Sequence, residues 1–117
     1  GTDAGLFTNL TFKENAVLPN YNREGVYLLE LDGVELKIAL SSKMIVTKHN
    51  NAPGVLLILL SALASKQINI IDLRLGSLND VGYSAIAVDG DSNVINSLLS
   101  KLGNQYYEAT LVEFHSM

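Results

Sequence analysis

From residue 26 onward apolar and polar positions alternate along most of the chain, and the stretches that break the alternation carry a helical period. Val34, Leu36, Ile38 and Leu40 alternate with Glu35 and Lys37, and Asp32-Gly33 separates them from Val26 to Leu31. Asp-Gly suits a two-residue turn with positive φ, so residues 26–42 are predicted as a β-hairpin. A lone hairpin is marginal in water, which places it on the main sheet or on a partner. Lys43 to His49 reads as the next strand, with Met44 and Val46 on one face against Ile45 and Thr47. A helix from about Gly54 to Lys66 follows, and then a strand from Asn69 to Gly76. In that strand Ile71, Leu73 and Leu75 share one face, while Asp72 and Arg74 pair across the other. After a turn at Ser77 to Asp80, residues 82–89 set Ser84, Ile86 and Val88 against Tyr83, Ala85 and Ala87. The stripe Val94, Ile95, Leu98, Leu99 and Leu102 predicts a second helix, capped by Asp91 or Ser92 and ended at Gly103-Asn104. Tyr106 to Phe114 is the last strand.

The order from residue 43 is therefore β-α-β-β-α-β. Short connections and right-handed crossovers turn it into an antiparallel four-stranded sheet with both helices on one face, an α+β ferredoxin-like sandwich. Residues 1–25 scatter Asn9, Asn15, Pro19, Asn20 and Asn22 among apolar positions without a period. They are expected as an irregular linker or arm. The predicted organisation is an arm over 1–25, a hairpin lead-in over 26–42 and the main domain over 43–117.

The two helices differ. Val55 to Leu60 is apolar without interruption, whereas a helix lying on one sheet needs only one apolar stripe. A second apolar surface has to cover it. Either the amino-terminal arm does so, or a symmetry-related copy does, joined through the strand after this helix.

With 117 residues the chain is large enough for one core, and it has no cysteine, which excludes disulfides, thiolate metal sites and cysteine nucleophiles. A net charge of −4 argues against nucleic acid as a partner. No run reaches the ~18–20 apolar residues of a membrane span. The start at Gly1, with no signal-like core, suggests a residual tag or a domain cut from a longer protein, expected to be cytoplasmic. Asn9-Leu10-Thr11 is a sequon by chance, since nothing else points to secretion. There is no Cys/His pair, metal-ligand spacing or glycine-rich phosphate loop, and Asp89 and Asp91 flank Gly90 as turn and cap. No catalytic residue, metal or cofactor is expected.

Chemistry concentrates around the first helix. His49, Asn50 and Asn51 precede Pro53-Gly54, and Asn69 follows the helix. Main-chain N–H groups near Val55, beside amide and imidazole groups, suit a carboxylate. Taken singly, Asn51 is also a natural cap, Asn69 a turn residue, and His49 a strand-end surface residue. Together, His49-x-Asn51-x-Pro53-Gly54-Val55-Leu56, Ile68-Asn69-Ile70 and Gly82-Tyr83 resemble an ACT domain over about residues 43 to 114. The likeness is greatest to the regulatory ACT domain of D-3-phosphoglycerate dehydrogenases, while the hairpin lead-in resembles that of iron–sulfur L-serine dehydratases and of some long dehydrogenases. The resemblance implies a homodimer that binds a small amino acid, L-serine foremost, across its interface through His49, Asn51 and Asn69; Pro53, Gly54 and Val55, at the helix start, complete the expected ligand-binding set by their own chemistry. It implies allosteric feedback on a parent enzyme and no catalysis by the domain itself. The alternative is a module of the same fold that dimerises its parent and binds nothing small. Ala52 departs from the family, many of whose members carry arginine or aspartate there, and His115 stands outside the matched motifs.

Overall fold

In the computed structural model, which describes residues 10–13 and 27–114, the chain forms an α+β fold of two antiparallel sheets and two helices. The elements are β1 (Leu10–Lys13), β2 (Tyr27–Leu31), β3 (Val34–Ala39), β4 (Lys43–Asn50), α1 (Val55–Ser65), β5 (Asn69–Leu78), β6 (Val81–Asp89), α2 (Ser92–Leu99) and β7 (Tyr106–Glu113). The larger sheet has the order β5-β6-β4-β7, consistent with the ferredoxin-like arrangement expected. Its alternation follows the sequence. Ile45, Ile86 and Val88 face the helices with Leu59, Leu63, Ile95 and Leu99, while Met44, Val46, Tyr83, Ala85 and Ala87 face the other way.

The predicted hairpin is β2-β3, with Asp32 (φ 51) and Gly33 (φ 82) both in the left-handed region that this turn requires. It lies on the helix-free face of the larger sheet, where Leu28, Leu31, Val34, Leu36 and Ile38 bury against Met44, Val46 and the Tyr83 strand. The result is three layers: small sheet, large sheet, helices. Lys37, at φ 56, takes up the extra residue of β3 where the register with β2 shifts. At Gly76 the two sheets approach closely, because a Cβ there would stand 2.5 Å from Val34 Cγ1 and 3.3 Å from the Glu35 carbonyl.

The small sheet is sealed by a buried polar cluster. Lys48 Nζ lies 3.1 Å from Asp32 Oδ2, and the Tyr83 hydroxyl donates to the same oxygen at 3.0 Å. Burial, and then the neighbouring Asp32 carboxylate, push the Tyr83 hydroxyl up to about 12, so it stays a donor at neutral pH. The hairpin's turn residue is thus also its anchor.

One expectation needs correction. The amino-terminal segment is not wholly irregular: Leu10–Lys13 pairs antiparallel with β2, Leu10 opposite Leu31. Four residues without alternation carry no strand signal of their own, and β2 supplies the edge that orders them. The rest of 1–25 lies outside the described residues, as does His115. Asp72 and Arg74 pair as expected, at 2.5 Å, with both side chains a third exposed, so the pair adds little stability.

Candidate functional site

Three connections and one helix end meet at one end of the larger sheet: the β4–α1 loop, the β5–β6 turn, the entry to β7 and the start of α1. Asn50 holds the β7 entry, its N–H on the Gln105 carbonyl at 2.8 Å and its Nδ2 on Gln105 Oε1 at 2.7 Å. Asn51 ties the β5–β6 turn, its N–H on the Asp80 carbonyl at 2.9 Å and its Nδ2 on the Asn79 carbonyl at 3.3 Å. Asn51 is therefore not the helix cap. That position belongs to Gly54, whose φ of 87 is one that glycine adopts without strain. Pro53 and Gly54 stand exposed in the turn before α1, which begins one residue later than the sequence suggests.

Val55 differs from expectation. Its N–H is engaged by the Ala52 carbonyl at 3.3 Å, so it is not an open donor for an anion. The N–H groups a helix start leaves over are those of Leu56 and Leu57.

His49 is the least expected member. Its side chain faces the helices and is 7% exposed, not a surface residue. Nδ1 lies 2.9 Å from the Asn50 carbonyl, and Nε2 is buried with no partner among the described residues. Two residues that sequence reasoning left out of the site hold the ring. The Tyr106 ring stands 5.2 Å from it, centroid to centroid, and its hydroxyl donates to the Val55 carbonyl at 2.8 Å. Burial drives that hydroxyl up to about 12, partly offset by the Leu59 N–H. Opposite His49 on β6 is Gly82. A Cβ there would fall 2.4 Å from His49 Cε1 and 2.9 Å from Nδ1. Gly82 is the space the imidazole occupies, which the bare Gly-Tyr pair in the sequence did not reveal.

We expect Gly82→Ala to eject the ring. The loss should be ~1–3 kcal/mol by chemical denaturation, the usual cost of overpacking, and the imidazole resonances should move to solvent-exposed values. An unshifted ring in a fully stable variant would contradict this packing.

Asn69 does not join the other residues within one chain. It is exposed at the start of β5 and pairs with Asp89, whereas His49 pairs with Gly82. Those partners are seven residues apart on one strand, about 23 Å at ~3.3 Å per residue. His49 and Asn51 thus mark one end of the sheet and Asn69 the other.

Beside the site runs an exposed apolar surface. β5 is an edge strand, and Ile70, Ile71, Leu75 and Leu78 are exposed along it. Ile71, 58% exposed, falls where the register with β6 slips. On α1, Leu57 and Ile58 are exposed while Val55, Leu59 and Leu63 are buried. The small sheet covers the opposite face of the larger one, so no described residue of the amino-terminal segment covers α1.

Among the described residues no group of His, Cys, Asp and Glu is placed to hold a metal ion. No described helix is long and apolar enough to cross a membrane. A scan of protein-family models matches none to this chain, and no curated protein is significantly similar to it.

Proposed function

We propose that this chain is an ACT-type regulatory domain of ferredoxin-like fold, working as a homodimer that binds a small amino acid, L-serine foremost, at its subunit interface. The observation that carries the reading is the buried imidazole of His49, whose Nε2 lacks a partner beside the first turn of α1. A buried polar atom left unmade costs ~1–3 kcal/mol, which a ligand at that atom recovers.

The separation of Asn69 from His49 fits the same reading. If β5 pairs antiparallel with β5 of a second copy about its midpoint, Asn69 of that copy stands opposite Leu78. Leu78 adjoins Asn79, whose carbonyl holds Asn51. The two-fold operation thus brings together residues that one chain holds apart, and it covers the apolar edge that invites pairing. Ligand bound across such an interface stabilises one arrangement of the dimer, and an attached catalytic domain, that of a D-3-phosphoglycerate dehydrogenase or an L-serine dehydratase, senses the difference. A second reading, dimerisation without a small ligand, draws on the exposed apolar surface alone.

L-serine should raise the melting temperature of the dimer, since a ligand that binds only folded protein stabilises it by mass action, and D-serine should not. Asn69→Ala should weaken binding by ~1–3 kcal/mol while leaving the fold intact. Calorimetry on a chain shown to be dimeric decides. Failure of every amino acid to bind at millimolar concentration would return the case to the dimerisation module, and unchanged binding by Asn69→Ala would move the site elsewhere.

A further inference from the structure

Neither helix carries an acidic residue. All 12 of the chain's Asp and Glu lie outside residues 55–66 and 92–102, in a chain of net charge −4. The two cations of this layer are Lys66 at the end of α1 and Lys101 just beyond α2. Both are exposed, and neither forms an ion pair with another described residue. A cation after a helix C-terminus complements the macrodipole, which accounts for where each lysine sits but not for a layer free of acids. β4 and β6 run antiparallel and each feeds one helix back across the sheet, so α1 and α2 are antiparallel too. Between them lies a groove of about 430 Å³. Ile58, Val94 and Leu98 give it an apolar floor, small Ala62 and Ser97 leave room for a main chain, and Lys66 and Lys101 stand toward its opposite ends. Along each helix the groove runs from Ile58 to Lys66 and from Asn93 to Lys101, about 12 Å at ~1.5 Å per residue. This is a different side of α1 from the one assigned to a second copy. Ile58, Ala62 and Ser65 recur at helical spacing toward α2, whereas Leu57 lies about 100° around the helix from Ile58.

We propose that this groove docks an acidic amphipathic helix of a partner protein, held by one carboxylate at each lysine and by an apolar pair between them. On such a helix the carboxylates fall at i and i+7, ~10.5 Å apart on one stripe, and the apolar residues at i+3 and i+4. A third helix of that kind covers Ile58, which is 41% exposed, and brings the charge that the layer lacks. The helices of a second copy do not supply it, because they too are free of acids and would set lysine toward lysine. A single-headed amphiphile such as a fatty acid would engage one lysine and leave the other idle. The docking needs neither the dimer nor the amino-acid site.

The test uses the full chain, isotope-labelled for NMR, and a synthetic helical peptide of pattern Glu-x-x-Leu-Leu-x-x-Glu, beside the same peptide with lysine at both glutamate positions. The acidic peptide should bind saturably and move the amide resonances of Ile58, Ser65, Ser97 and Lys101 ahead of those of the β4–α1 loop. Added salt should weaken it. The double variant Lys66→Glu with Lys101→Glu should bind the acidic peptide about tenfold more weakly and should now prefer the basic one, as two exposed attractions become repulsions. Ser97→Trp fills the groove from an exposed position without touching charge, and it should abolish binding. Circular dichroism checks that each variant folds; where one does not, the wild type's preference for the acidic over the basic peptide still decides. Equal affinity for the two peptides, no binding of the acidic one at millimolar concentration, or binding that Ser97→Trp leaves unchanged would overturn the proposal. Self-association that the double variant abolishes would overturn it in favour of a second copy. Saturable binding of oleate at the same resonances, by a chain that ignores the peptide, would overturn it in favour of a small amphiphile.

Discussion

Leu57→Asp is expected to give a folded chain that no longer pairs with a copy of itself and no longer binds amino acid. Leu57 is 63% exposed and lies two residues from both Val55 and Leu59, which point into the core. A carboxylate there meets solvent in the single chain, and surface substitutions of that kind usually stay within ~0.5 kcal/mol. In a two-fold dimer joined along β5 and α1, the same change sets two like charges toward each other in an apolar contact, a cost of several kcal/mol. Light scattering at micromolar concentration should therefore report the wild type as a dimer and the variant as a monomer with unchanged circular dichroism. Leu59→Asp is the contrast. Leu59 has no exposed surface, and its variant should unfold whatever the assembly. A wild type that is monomeric throughout would remove the interface, and with it a site that needs Asn69 from a second copy.

Lys48→Met should cost about 3–5 kcal/mol by urea denaturation, the penalty for stranding one member of a buried ion pair. The side chains of Lys48 and Asp32 are only 10% and 7% exposed, so the lost ammonium is not replaced by water. The Tyr83 hydroxyl still donates to Asp32 but carries no compensating charge. Against a typical domain stability of ~5–15 kcal/mol, this is a large fraction. The double variant Asp32→Asn with Lys48→Met should recover most of it, because an amide keeps the left-handed turn without burying a charge. A single-variant loss below about 1 kcal/mol would mean that the pair behaves as a solvated one.

The main sheet was legible because its two central strands, β4 and β6, each state two faces, whereas the pattern of β7 did not tell its inner face. Met44 and Val46 against Ile45 and Thr47, and Tyr83, Ala85 and Ala87 against Ser84, Ile86 and Val88, divide between the two cores as their alternation requires. The hairpin was legible because Asp32-Gly33 is a local signal. What escaped depends on distant residues. Leu10–Lys13 becomes a strand through the edge that β2 offers. The burial of His49 depends on a missing side chain at Gly82, 33 positions later, and on Tyr106 beyond that. Asn51 looks like a cap in sequence, yet its amide reaches Asn79. The composition of the site was readable and its polarity was not, because polarity comes from what each group touches.

β4 lies between β6 and β7, pairing with Ala87 through Met44 on one side and with Glu113 through Lys43 on the other. Its two neighbours are therefore made at different times when the chain grows from its amino end. For as long as the ribosome has not released residues 106–113, this central strand of the larger sheet has one flank unfilled. That interval is when the chain is most exposed to wrong pairing, since long-range strand contacts form late and open edges recruit other chains. The last strand, though it lies at the margin of the finished sheet, is the one that closes its centre.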